Sequence, residues 1–141
     1  YFFYMGNRNT RKAGIYVKEL CNAICWIFNN NIKTDKRYSL HNLSMNPGPS
    51  IEEYVNAIKK VSNTDKYVPE VPFIFLLILS KIIDFVAKPF GISHPFSSVR
   101  IKKLVRSNNI LPKELKNDGY KYQYTLEASL TDWKRDYPQE W

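Results

Sequence analysis

The stretch Phe73-Ile74-Phe75-Leu76-Leu77-Ile78-Leu79-Ser80, continued by Lys81-Ile82-Ile83-Asp84-Phe85-Val86-Ala87-Lys88, constrains this chain more than any other. A run so apolar has to be covered by something. A membrane span needs about 20 uninterrupted apolar residues. This run is shorter, and Lys81 and Asp84 fall inside its continuation. Pro72 suits a first helical turn, where its missing N–H costs nothing, and Pro89 with Gly91 ends the element. Ahead of it, Tyr67-Val68-Pro69-Glu70-Val71-Pro72 is held extended by its prolines. The reading is one long helix, buried or covering a groove between domains. Association with a membrane surface is the lesser alternative, because the outer side of such a helix is apolar too.

Elsewhere the periodicity alternates between helix and short extended pieces. Residues 1–5 read as a strand, and Gly6-Asn7-Arg8-Asn9 as a turn. Ile15, Val17, Leu20, Ile24, Ile27 and Phe28, with Cys21 and Cys25 between them, predict a mostly buried helix over residues 17–29. Asn29-Asn30-Asn31 is expected to stop it. Residues 37–44 alternate as a strand would, though neither face is cleanly apolar. After the loop Asn46-Pro47-Gly48-Pro49, Ser50 and Glu53 form a capping box. They open a helix whose apolar face is Ile51, Tyr54, Val55, Ile58 and Val61. Ser97 or Ser98 caps a short element bearing Val99, Ile101, Leu104 and Val105. Residues 111–116 form another short helix, closed by Asn117-Asp118-Gly119. Thr125 caps a last helix with Leu126, Leu130 and Trp133 at i, i+4, i+7. The fold class expected is α+β, mostly helical, with a few short strands.

A chain of 141 residues with 44% hydrophobic content suits one folded domain. Its 21 Lys and Arg against 13 Asp and Glu leave a charge of +8, which attracts anionic partners at long range. The cations are scattered, whereas a nucleic-acid binder clusters them on one element with aromatics between. Most are therefore read as solvated. Cys21 and Cys25, one helical turn apart, would close only a tiny loop, so they are read as buried free thiols in a reducing, cytoplasmic compartment. With His41 and His94 far apart, no zinc spacing arises.

Several chemistries lack their motifs. There is no Gly-x-Gly-x-x-Gly turn, no Gly-x-x-x-x-Gly-Lys loop and no Gly-x-Ser-x-Gly elbow. No catalytic residue, metal ligand or cofactor-binding residue is assigned within this chain.

Three stretches carry a resemblance through their order. They are Lys12-Ala13-Gly14-Ile15-Tyr16-Val17-Lys18-Glu19-Leu20, then Tyr38-Ser39-Leu40-His41-Asn42-Leu43-Ser44 before the capped helix, and finally Gly119-Tyr120 leading to Tyr124-Thr125-Leu126-Glu127. Together the segments from Phe2 to Trp133 resemble the carboxy-terminal, substrate-binding part of the extended short-chain dehydrogenase/reductases, the NAD-dependent sugar-nucleotide epimerases and dehydratases. The resemblance implies that residues 1–141 are a single carboxy-terminal substrate-binding domain, a fragment of an extended Rossmann-type protein. It further implies that NAD(P) binds, and hydride moves, in an amino-terminal Rossmann half not included here. The Tyr-x-x-x-Lys pair of that family is absent from this chain, which is expected to be inactive alone. A nucleotide-sugar substrate, as in a UDP-glucose 4-epimerase-like isomerase or an enzyme of polysaccharide biosynthesis, would be the ligand. The Pro-Phe-Ser-Ser-Val-Arg segment leans equally toward 3β-hydroxysteroid dehydrogenase-like members.

The same resemblance points to positions for the diphosphate. The family pattern Arg-Asp-x-Ile-x-Val-x-Asp-Leu has Lys12 at its arginine, with Arg11 beside it. A lysine attracts phosphate as a point charge but lacks the two-pronged grip of arginine. The second basic position falls in residues 94–103. There Arg100, between Val99 and Ile101, is expected to be partly enclosed and so to need an anionic partner. His94 lines the same pocket in this reading. Tyr120 and Leu126 are assigned to packing, and the alternating Tyr120, Tyr122 and Tyr124 to structure rather than base stacking. The expected partners are the nucleotide sugar and the Rossmann half, with a homodimer left open and neither nucleic acid nor membrane expected. The rival readings are a small basic module for nucleic acid or an anionic membrane surface, and an interaction domain using residues 72–88.

Overall fold

The computed structural model describes residues 2–35, 37–91 and 97–141. In chain order the elements are β1 (Tyr4–Met5), α1 (Val17–Lys33), α2 (Ile51–Ser62) and β2 (Glu70–Val71). They are followed by α3 (Phe73–Ala87), a 3-10 turn at Lys88–Phe90, α4 (Ser98–Val105), α5 (Lys113–Asn117), α6 (Leu126–Asp136) and a 3-10 turn at Pro138–Glu140. The fold is α+β and mostly helical, with two short parallel strands as the whole of its sheet among the described residues. The chain divides into two units. One comprises Tyr1–Thr10 with Lys66–Ser107, and the other Arg11–Asp65 with Asn108–Trp141.

In the first unit, β1 runs parallel to β2 with Tyr4 opposite Glu70 and Met5 opposite Val71. Tyr4 N donates to Pro69 O at 2.8 Å and Gly6 N to Val71 O at 3.0 Å. The prolines at 69 and 72 bracket β2, which explains its brevity: a proline has no N–H to extend the ladder. Gly6 turns the chain away from β1 at φ +69°, a conformation that disfavours any side chain. The turn it begins continues to Thr10, whose hydroxyl donates to Asn7 O at 2.6 Å. Residues 67–72 were expected to be extended, and their pairing is the addition made by the fold.

α3 is a single helix as expected, but it is not buried. Leu76, Ser80 and Ala87 are covered, while Ile74, Phe75, Ile78, Leu79, Ile82, Phe85 and Val86 are exposed. α4 packs against α3, and Ser97 is its cap, accepting from Arg100 N at 3.4 Å. Gly91, at φ +64°, ends the 3-10 turn that follows α3.

In the second unit the capping box forms as the spacing predicts. Glu53 N donates to Ser50 Oγ at 3.1 Å, and Ser50 N donates to Glu53 Oε2 at 2.6 Å. α2 packs on α6. The core gathers Ala23, Leu115 and Tyr120, with Trp26, Ile27, Leu43 and Tyr122 packed against them. Thr125 caps α6 by accepting from Ala128 N at 3.2 Å.

Four expectations for this unit fail. α1 runs to Lys33, because the asparagines at 29–31 continue the helix and the left-handed residue that closes it is Asp35, at φ +52°. Residues 37–44 pair with no strand; Tyr38 and Leu40 are almost fully exposed, so the face they share has no layer to pack on, while Leu43 on the other face packs on the core. α1 is also only partly buried. Its covered stripe is Glu19 and Ala23, with Trp26 and Ile27 against the core, while Val17, Ile24, Phe28 and Ile32 are exposed. Cys21 and Cys25 share that exposed side, so they are not buried thiols.

Leu115 is completely buried at the centre of the core. Leu115→Ala should lower the stability of this unit by about 2–5 kcal/mol. Phe85→Ala, on an exposed face of the other unit, should change stability by less than about 0.5 kcal/mol. Urea denaturation followed by circular dichroism reads both.

Candidate functional site

The second unit holds an open cleft of about 700 Å³. One side is the loop from Met45 to Pro49, the floor is α2 through Asn56, Ala57 and Lys60, and the far side is the segment from Tyr122 to Glu127. Each side is held by a different set of hydrogen bonds.

The far side is organised by Glu19. This carboxylate is 1% exposed, and its hydrogen-bond partners among the described residues lie about a hundred positions away. Tyr120 Oη donates to Glu19 Oε1, while Gln123 N and Tyr124 N donate to Oε2 at 3.0 and 2.7 Å. A buried carboxylate is costly unless its lone pairs are filled, and backbone N–H donors to a charged oxygen are among the stronger protein hydrogen bonds. Glu19 therefore clamps residues 120–124 to the first turn of α1. The backbone N–H groups it takes belong to a segment without regular structure, which has no ladder of its own to satisfy them.

The tyrosines of that segment pack in a chain. Tyr120 stacks edge-on with Trp26 and with Tyr122, and Tyr16 with Tyr124. Tyr122 Oη donates to Ser44 O at 2.7 Å, and Ser44 Oγ donates to Ile110 O at 2.6 Å. Burial, then the nearby Glu19 charge, pushes the Tyr122 phenol up to about 12. Burial also raises Tyr120, with its bond to Glu19 adding to the effect.

The near loop is tied down by backbone. Lys12 N donates to Pro49 O at 3.1 Å and Met45 N to Gly14 O at 2.8 Å. Arg11 Nη1 donates to the Gly48 carbonyl, and the same nitrogen lies 3.6 Å from Glu53 Oε2. Gly48 itself is close-packed, since a Cβ there would sit 3.0 Å from Asn109 Oδ1. α6 is fastened to α1 by a second network. Lys18 Nζ donates to Asp132 Oδ2 and Asp136 Oδ2, each at 2.6 Å, and Tyr16 Oη donates to Asp132 Oδ2 at 2.7 Å. The Lys18 bond, then the Tyr16 bond, holds the Asp132 carboxyl below the usual carboxylate range.

The charged groups lining the cleft are Glu53, Lys60 and Glu127, and Lys60 pairs with Glu127 at 2.6 Å. Its remaining surface is neutral: proline, methionine and leucine side chains, tyrosine rings, and the polar Asn46, Asn56 and Thr125. Such a lining suits a flat or cyclic neutral group with a few hydroxyls or ring nitrogens. It supplies no concentration of positive charge for a diphosphate.

The residues expected to bind phosphate are distributed as follows. Arg11 and Lys12 flank the near loop of the cleft, with Arg11 engaged by Gly48 and Glu53. Arg100 belongs to the other unit and is exposed in the first turn of α4, so the expected enclosure does not occur; Val99 beside it is exposed as well. His94 lies outside the described residues. Tyr120 is buried as a packing residue, and Leu126 is half-covered at the cleft. Glu19 was overlooked, although the helical period exposes it: it precedes the buried Ala23 by four, and a carboxylate on a buried stripe must have partners. Among the described residues, no three of His, Cys, Asp and Glu come together as a metal site. No family model, curated protein or solved structure matches this chain.

Glu19→Gln turns one acceptor oxygen into a donor facing other donors, so it should destabilise the second unit by about 1–3 kcal/mol. Tyr120→Phe should cost about 1 kcal/mol, and the double variant less than the sum, as measured by denaturant unfolding. The raised Tyr122 implies a stabilisation fully present below the ordinary tyrosine value near 10 and lost as pH climbs toward 12. Tyr122→Phe should flatten that alkaline limb in a pH series of melting temperatures.

Proposed function

We propose that this chain is the substrate-side, carboxy-terminal part of an NAD(P)-dependent sugar-nucleotide epimerase or dehydratase. In this role the cleft of the second unit takes the neutral ring portion of the nucleotide sugar. NAD(P) and the acid/base chemistry belong to a Rossmann half, and the chain alone is inactive. The cellular setting that goes with this reading is the cytoplasm; among the described residues, no helix is long and apolar enough to cross a membrane.

One observation carries the proposal. The two stretches that most resemble the family, residues 12–20 and 119–127, are remote in sequence, yet Glu19 of the first hydrogen-bonds Tyr120, Gln123 and Tyr124 of the second. Glu19 stands where the family pattern has its second aspartate. The carboxylate in the motif thus has a structural task that accounts for its presence. Support of a second kind comes from α1, whose exposed side carries Val17, Cys21, Ile24, Cys25 and Phe28. An apolar stripe on the helix that leads out of the motif is a surface against which a Rossmann half would pack.

The coding sequence upstream of Tyr1 is expected to contain a glycine-rich strand–helix turn and a Tyr-x-x-x-Lys pair; their absence there would sink the reading. In the present chain Cys21 and Cys25 should react readily with a thiol reagent. Joined to the amino-terminal half they should be protected at least tenfold. A uridine diphosphate sugar titrated into the joined protein should shift the resonances of Tyr122 and Tyr124 saturably, and unchanged spectra would remove the cleft from the substrate site.

A further inference from the structure

α3 is apolar on both sides, and one of them is uncovered. With about 100° of rotation per residue, Ile74, Phe75, Ile78, Leu79, Ile82, Phe85 and Val86 fall within one arc of about 160°, with Lys81 at its edge. All seven apolar side chains are exposed, Phe85 to 82% and Ile74 to 70%. The opposite arc contains Phe73, Leu76, Leu77, Ser80, Ile83, Asp84 and Ala87, all at least partly covered. Ser80 there is fully buried, donating to Leu77 O at 2.8 Å. A surface helix of a water-soluble domain turns its apolar stripe inward and its polar residues out. This helix carries apolar residues outward as well as inward, and Phe90, just beyond its end, is 73% exposed as well.

Charge selects the occupant. The unit that contains α3 carries eight Lys and Arg against two Asp and Glu, so it holds six of the chain's eight net positive charges. Of its two anions, Glu70 is paired with Arg8 at 3.0 Å, and Asp84 lies on the inward arc of α3. Lys81, Lys88, Arg100, Lys102 and Lys103 are all exposed. The last three stand on α4, which packs against α3. An exposed apolar face accompanied by cations, with no anion on it, matches an anionic lipid interface: acyl chains receive the aliphatic and phenyl groups, and headgroup phosphates receive the lysines. Nucleic acid would answer the cations but not seven aliphatic and aromatic side chains along one face. α3 spans 15 residues, or roughly 22 Å, against a hydrocarbon core of about 30 Å, so it suits the plane of the interface and not a crossing.

We infer that this unit docks peripherally on anionic membrane surfaces, α3 lying in the interface with its seven-residue apolar face inward and the cations of α3 and α4 at the headgroups. The inference stands apart from the proposed enzymatic role: it uses neither the cleft nor Glu19. It gives the exposed Arg100 a phosphate partner of a different kind from the one its sequence position suggests.

The test is co-sedimentation of the chain with vesicles of phosphatidylcholine alone and with about a third phosphatidylglycerol. Binding should be at least tenfold tighter to the anionic vesicles and should weaken with added salt. Lys102→Gln with Lys103→Gln should lose about fivefold in affinity per charge on anionic vesicles only. Phe75→Glu with Phe85→Glu should abolish binding to both vesicle types without changing the circular dichroism melt, since both residues are exposed. Absence of binding by the unaltered chain would overturn the proposal, as would equal affinity for both vesicle types. So would a dimer, seen by sedimentation velocity without lipid, that dissociates in the phenylalanine variant and leaves that face to a second copy. Tighter binding to single-stranded RNA than to anionic vesicles would also count against it.

Discussion

Glu19 is the group on which the second unit turns. It is buried, and its partners come from a segment more than a hundred residues further along that forms neither helix nor strand. Without it, the backbone at 123 and 124 would lose acceptors and Tyr120 would face the core with an unfilled hydroxyl. With it, residues 120–124 become a fixed wall, Tyr122 is placed to reach Ser44, and Thr125 is set where it caps α6. The cleft exists because that wall stands opposite the proline loop and α2. A burial cost of several kcal/mol is thus offset by three hydrogen bonds whose geometry also determines where a ligand would lie.

The two units solve the problem of apolar surface differently. α2 follows the usual rule, packing its apolar side on α6 and leaving Glu52, Glu53 and the lysines at its ends for the helix dipole. α1 and α3 do not. Each retains an exposed apolar side, but the surroundings differ. The side of α1 carries two thiols in a unit with 13 basic and 11 acidic residues, whereas the side of α3 belongs to a unit with a strong excess of cations. A nearly neutral apolar stripe suits another folded protein surface, and a cationic one suits an anionic interface. In the two proposals that contrast gives the two faces different partners, which keeps the enzymatic and membrane-binding readings independent.

The site was only partly legible beforehand. The capping box at Ser50, the cap at Thr125, the loop of prolines and the packing role of Tyr120 depend on residues a few positions apart, and they form as their spacing demands. Arg11 was recognisable as a basic residue beside a loop, but its pairing with Gly48 and Glu53 involves residues about 40 positions distant. Glu19 escaped for the same reason. Its position on the helix could be counted, but its partners could not. Arg100 was misjudged because β-branched neighbours in sequence do not enclose a side chain on a short helix, where adjacent residues point in different directions.

Local chemistry in the chain was enough to specify the starts of α2 and α6, the turns at Gly6 and Gly119, the α+β class and the single long helix of residues 73–87. Each of these follows from dihedral preference, capping or proline restriction, which act over a few residues. Tertiary structure alone decided that one apolar side of α3 is left uncovered, that residues 37–44 find no strand to join, that both cysteines are exposed, and that a carboxylate in α1 holds the closing tyrosines. Burial and long-range hydrogen bonding are properties of what lies across from a residue, and periodicity within a segment carries no information about that.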